Sequence, residues 1–147
     1  MITPLPVPVE TPPAHQPSRI LVLDDDKDIR EIYVEILRQD GYHVDTAEDG
    51  QAGWEALQTR PYDLLITDHE MPRLTGLELV ERVSSSGSSM RVIIASGSLS
   101  PGELARRASS RAAAWLPKPF SPSELLKAVG RVLGVSGTHG LAATAGC

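Results

Sequence analysis

Residues 19–30 read RILVLDDDKDIR, and the apolar run at 20–23 stops abruptly at three consecutive aspartates. A short, unbroken apolar run bounded this sharply suits a central strand of a parallel sheet, covered by helices on both faces. Helical period follows at once. From Ile29, the apolar residues Ile32, Tyr33, Ile36 and Leu37 recur at i+3, i+4, i+7 and i+8, one face of a helix that stops near Gly41. A strand feeding a helix in this way is the repeating unit of an α/β domain.

Four more such units fit downstream. A second strand is expected at 42–46, then a short helix at 49–58 with Trp54 and Leu57 inward. A third strand at 64–67 ends, like the first, at an aspartate, and a helix follows at 75–83. The fourth strand, 92–95, leads to a helix at 101–110 anchored only by Leu104 and alanines. The fifth strand covers 113–116, and Pro117 inside or just after it removes a ladder donor, which an edge strand tolerates. The closing helix, 122–133, buries Leu125, Leu126, Val129 and Leu133 and carries proline in its first turn, where a missing N–H does no harm.

The chain has 147 residues, room for one domain with a real core. Hydrophobic residues at 41% and charged residues at 22% argue against wholesale disorder or a coiled coil. Only 4% are aromatic and the formal charge is −5, which opposes stacking on single strands and non-specific phosphate binding, so no direct nucleic-acid ligand is expected. The single cysteine, Cys147, permits neither an intrachain disulfide nor a cysteine zinc cage, and a cytoplasmic setting is expected.

Six of the twelve prolines fall in residues 1–17, which have neither a basic n-region nor a long apolar run and read as a disordered proline-rich arm, either a docking ligand or a plain tail. Residues 136–147 are small and glycine-rich and read as a flexible tail, leaving 18–135 for the fold. No membrane span is expected.

In open parallel sheets, ligands bind outside the carboxyl ends of the strands. Those ends here carry Asp24-Asp25-Asp26, Asp68 with Glu70 two residues on, Ser96, and Lys118. Two carboxylates about 4 Å apart repel by about 4 kcal/mol at an effective dielectric of 20, so gathering Asp24, Asp25 and Asp68 has no rationale in stability alone. A cation must compensate, and a few hard oxygen donors with open positions suit Mg²⁺ better than a soft metal. Taken alone, Asp68 reads equally well as a turn or capping aspartate. Asp26 reads as a turn residue or as the cap of the following helix. His15, His43, His69 and His139 have no ligand spacing, and His69 is expected to be exposed.

Four segments together, RILVLDDDKDIR at 19–30, DLLITDHEMPRLTG at 63–76, VIIASGS at 92–98 and WLPKPF at 115–120, resemble the receiver domain of two-component response regulators. The resemblance runs from Arg19 to about Leu133. It implies a flavodoxin-like, doubly wound five-stranded parallel sheet in the order 2-1-3-4-5. It also implies roles. Asp68 corresponds to the phosphoacceptor. Asp24 and Asp25 correspond to the acidic pair that holds Mg²⁺ with Asp68, and Glu70 stands where a backbone carbonyl completes the metal site. Ser96 and Lys118 correspond to the hydroxyl and ammonium that meet the phosphoryl group, with a cis Lys118–Pro119 bond, and Trp115 falls at the aromatic switch position. Arg111 stands where the family often has glycine, and Pro117 before Lys118 is unusual for it. Glu70 and Ser98 flank the site and are expected to influence the rate of dephosphorylation.

The implied function is a stand-alone phosphoacceptor switch that takes phosphate from a histidine kinase or histidine phosphotransfer protein. It would then bind a downstream protein, and the face of the fourth helix, fifth strand and fifth helix would also allow a dimer. On this reading the chain is no enzyme beyond its own phosphorylation and dephosphorylation, and the twelve residues of the 136–147 tail are expected to leave no output domain. Arg106, Arg107 and Arg111 read as a solvated face or as a partner surface. Two rivals stand beside it. A haloacid dehalogenase-like phosphatase could use Asp24-x-Asp26 with Lys118, although Glu124 is the sole side-chain carboxylate beyond that lysine. A phosphorylation-independent binding module is the other, and it leaves the competent residues at all five switch positions unexplained.

Overall fold

The computed structural model describes residues 17–98, 100, 102, 103, 106 and 113–134. Strands β1 (Arg19–Leu23), β2 (His43–Ala47), β3 (Leu64–Asp68), β4 (Arg91–Ser96) and β5 (Ala113–Pro117) form one sheet in the order β2-β1-β3-β4-β5. All four pairings are parallel. Between the strands run α1 (Lys27–Gln39), α2 (Gly50–Thr59) and α3 (Gly76–Ser85), and α4 (Pro122–Leu133) closes the chain.

Because successive residues of a strand face opposite sides, each strand feeds two cores. Ile20, Val22, Leu64, Ile66, Ile93 and Leu116 meet Tyr33 and Leu37 of α1 and Leu125 and Val129 of α4. Leu21, Leu23, Leu65, Val92 and Ile94 meet Leu77, Leu79 and Val80 of α3, with Trp54 and Leu57 of α2 packed against them. Gly53 lets α2 approach β1, since a Cβ there would lie 2.3 Å from a Leu23 methyl.

The helix starts follow from local chemistry. Asp26 caps α1 by accepting from the amides of Asp28 and Ile29, which settles its role in favour of the cap. Thr75 with Glu78, and Ser121 with Glu124, form reciprocal capping boxes at α3 and α4. Gly134, at φ 72°, ends α4 in the left-handed region.

Two expectations change. Strand β2 begins one residue later than the apolar pattern indicates, because Tyr42 is buried in the turn before it. Ile32 is 51% exposed and does not belong to the inward face of α1, which runs through Ile29, Tyr33, Ile36 and Leu37. At 3.6 residues per turn Ile32 falls about 40° beyond Ile36, on the flank of that stripe. Trp54 and Leu57 face inward as expected, Trp54 half-buried against the core with the Arg82 guanidinium 5.6 Å from its ring centroid. The fourth helix expected at 101–110, Arg107, Arg111 and both terminal arms lie outside the described residues apart from Pro17 and isolated positions such as the exposed Arg106. Pro117 ends β5 on the edge of the sheet, opposite Ser96.

Candidate functional site

Register brings the site together. Leu23 pairs with Thr67, so the next residues along, Asp24 and Asp68, stand side by side. Asp68 is level with Ala95, one residue short of Ser96, and Ser96 is level with Pro117, one short of Lys118. Four strand ends thus place their polar residues on one rim, and the Lys118 amide donates to the Ser96 carbonyl at 3.0 Å.

The two central acids are buried, Asp24 at 2% and Asp68 at 6% exposure. Lys118 reaches both, with its Nζ 3.3 Å from an Oδ2 of Asp24 and 3.3 Å from an Oδ2 of Asp68. Asp25 is exposed, yet ligand oxygens of Asp24, Asp25 and Asp68 all fall within 4.8 Å of one another. One ammonium therefore faces three carboxylates. The consequence is visible in Asp68, whose carboxyl is pushed up to about 6. Burial is the main cause and the Asp24 charge adds to it, both outweighing the lowering by Lys118. Burial alone would lower the Lys118 ammonium, but Asp24 and Asp68 more than offset that and raise it.

The supporting groups are less evident from sequence. Asp24 Oδ1 accepts from the Asp26 amide at 2.9 Å, and its carbonyl accepts from Arg30 Nη1 at 2.7 Å, holding the turn after β1. Tyr33 lies beneath the rim and stacks on Phe120 with ring centroids 5.3 Å apart. Burial, with the charges of Asp24 and Asp68, raises its hydroxyl well above the usual tyrosine range. On the other side, Gly76 closes against the β3 end: a Cβ there would lie 2.7 Å from the Asp68 carbonyl oxygen. The Lys118–Pro119 bond is cis, as the resemblance implies.

Ser96 is fully buried, and its Oγ donates to Glu70 Oε2 at 2.7 Å. Ser98 Oγ donates to the same oxygen. Burial tends to raise the Glu70 carboxyl, but hydrogen bonds from Ser98, Ser96 and Asp68 dominate and lower it. Nothing local signals this contact, because the partners are 26 and 28 residues apart in sequence. Trp115 is half-buried, with an indole N–H that finds no partner among the described residues. His69, expected to be exposed, is half-buried with an unpartnered Nδ1, because its amide bonds Ala95 and draws it against the sheet. Asp26, whose side chain caps α1, is not among the three clustered acids.

The donor set fits a divalent cation. All three candidate ligands are hard carboxylate oxygens, and the rim carries more negative charge than Lys118 balances. Among the described residues, no helix is long and apolar enough to cross a membrane.

The family model for the response regulator receiver domain matches residues 20–130. Response regulator MprA of Mycolicibacterium vanbaalenii is 36% identical over 110 residues, 75% of this chain and 48% of that protein. This chain thus spans about half the length of the MprA proteins it matches. Response regulator receiver protein CpdR of Brucella abortus is 32% identical over 116 residues, 79% of this chain and 97% of that protein. Among solved structures, chemotaxis protein CheY4 of Vibrio cholerae superposes with a TM-score of 0.74 at 32% identity, covering 80% of this chain and 99% of that one. Sheet order, rim chemistry and these matches agree, and the chain belongs to the response regulator receiver domain family of two-component signalling.

Proposed function

We propose that this chain is a phosphoacceptor switch whose nucleophile is Asp68. The observation that carries the reading is the pairing of Lys118 with both Asp24 and Asp68 inside a three-carboxylate cluster. A buried acid held next to another acid, with a lysine between, suits a carboxylate that is to be esterified rather than one that stabilises the fold. Mg²⁺ would be held by Asp24, Asp25, Asp68 and the Glu70 carbonyl, and when bound it supplies positive charge against the transferring phosphoryl oxygens.

The chain's own groups do the rest. An Oδ of Asp68 attacks phosphorus in line, the new O–P bond forming as the P–N bond of a phosphohistidine donor breaks. The electron pair leaves on the imidazole nitrogen, and the imidazole departs neutral because its other ring nitrogen carries a proton. Lys118 neutralises charge on the group being transferred, so the chemistry is largely positioning and electrostatics. The new phosphoryl group, itself roughly −2, then draws Lys118 and Ser96 toward it, and Trp115 follows into the space behind Ser96.

The donor would be a histidine kinase or a histidine phosphotransfer protein, and the output a change in binding to another protein or to a second copy of the chain. The near end-to-end match with CpdR supports a receiver that acts through such binding. A cytoplasmic location accords with these partners. Incubation with acetyl phosphate and Mg²⁺ tests the reading. A hydroxylamine-labile, Mg²⁺-dependent adduct on Asp68 is expected, and an adduct that persists in Asp68→Asn refutes it.

A further inference from the structure

Glu70 projects a carboxylate into the one place where the proposed switch needs donors. Its Oε2 accepts from Ser96 Oγ at 2.7 Å and from Ser98 Oγ, while the Ser98 amide donates to Ser96 Oγ at 3.0 Å. The Glu70 amide in turn donates to Asp68 Oδ1 at 3.3 Å, so the residue is anchored to the nucleophile by its backbone and to the hydroxyls by its side chain. A serine hydroxyl carries a single proton. Ser96 can give it to Glu70 or to a phosphoryl oxygen, but not to both.

We infer that the Glu70 carboxylate is an internal competitor for the phosphoryl group, an anion that holds Ser96 and Ser98 in the unmodified arrangement and must be displaced before the switch can turn. The inference rests on the phosphoacceptor reading of Asp68 and adds a regulatory role within the same site. Glu70 is a positioning residue in this scheme: its side chain acts through the two serines, and the phosphoryl group itself touches Ser96. The contact also joins the segment after β3 to the end of β4 at Ser96 and to Ser98 just beyond it. Displacing the carboxylate would release both serines together. Since hydrogen bonds to a charged acceptor are stronger than neutral ones, the competition biases the chain toward its unmodified state until a stronger anion arrives.

Beryllofluoride, an analogue of the phosphoryl group, reads this competition without chemistry. Each variant of the full chain is first titrated with Mg²⁺, and beryllofluoride is then titrated at saturating Mg²⁺ and followed by fluorine NMR. Glu70→Ala is expected to reach half-saturation at about tenfold lower beryllofluoride than the wild type, equivalent to about 1.4 kcal/mol. Glu70→Gln keeps an acceptor oxygen and loses the charge, so its half-saturation should fall between the two, a graded response that a merely structural role would not produce. Wild-type uptake with Glu70→Ala unshifted, or shifted to weaker binding, overturns the competitor. A Glu70→Ala protein that needs far more Mg²⁺ and loses beryllofluoride makes the side chain a metal ligand and overturns it as well. Failure of the wild type itself to take up beryllofluoride removes the phosphoacceptor reading, and the competitor with it.

Discussion

Replacing Asp68 by asparagine in metal-free protein measures the electrostatic cost of the acidic rim. The folded carboxyl titrates near 6 instead of near 3.8, so the native state binds this proton more tightly than the unfolded chain does. Its contribution therefore favours folding fully at low pH and is lost as pH rises from about 4 through about 6. At 1.36 kcal/mol per pKa unit, ionising Asp68 in the fold costs about 3 kcal/mol by neutral pH. Asparagine has the shape of the protonated acid and never ionises. Asp68→Asn should accordingly exceed the wild type by up to about 3 kcal/mol at pH 7.5 in EDTA, roughly 10 °C in Tm for a domain of this size. The difference should close by pH 4. Thermal melts across that range read both the size and the pH window. Mg²⁺ at ten times its half-saturating concentration should return about 1.4 kcal/mol to the wild type and less to the variant. An Asp68→Asn protein no more stable than the wild type at pH 7.5 without metal would mean that Lys118 already satisfies the rim, and the electrostatic case for a cation would fail.

Lys118→Ala removes the group that lowers Asp68, so the Asp68 carboxyl should titrate above 6 in a carbon-detected NMR titration; an unmoved or lower value would contradict the ion pair. Gly76→Ala places a Cβ 2.7 Å from the Asp68 carbonyl oxygen and 2.9 Å from the His69 Cα, backbone that cannot rotate away. Denaturant unfolding should show a loss of about 1–3 kcal/mol, and Mg²⁺ titration a weaker site. Ile32→Ser, at a residue 51% exposed, should change stability by less than about 0.5 kcal/mol, whereas Leu37→Ala, fully buried on the same helix, should cost about 2–5 kcal/mol in the same denaturation assay.

Much of the site was legible before any tertiary contact was known. Strand ends carrying Asp24, Asp68, Ser96 and Lys118 are a one-dimensional signal, since a strand ends where its apolar run ends. Ile32 shows the limit of such reasoning. Helical period places it beside the inward stripe, but how wide a stripe is covered depends on the curvature of the sheet below. His69 shows it again, because its half-burial goes with an amide hydrogen bond to the Ala95 carbonyl, a contact between residues 26 apart in sequence.

By itself the sequence determined the alternation of strands and helices and the residue types gathered at the strand tips, and it offered Asp26 as a turn residue or a helix cap. All of these depend on periods and hydrogen bonds that span only a few residues. Only the tertiary structure decided that one ammonium serves two buried acids and that Glu70 takes the hydroxyl protons of Ser96 and Ser98. It also decided that a glycine at 76 is needed behind the nucleophile. Those contacts join chain segments far apart in sequence, and their distances are set by parallel register and close packing, quantities that no local pattern encodes.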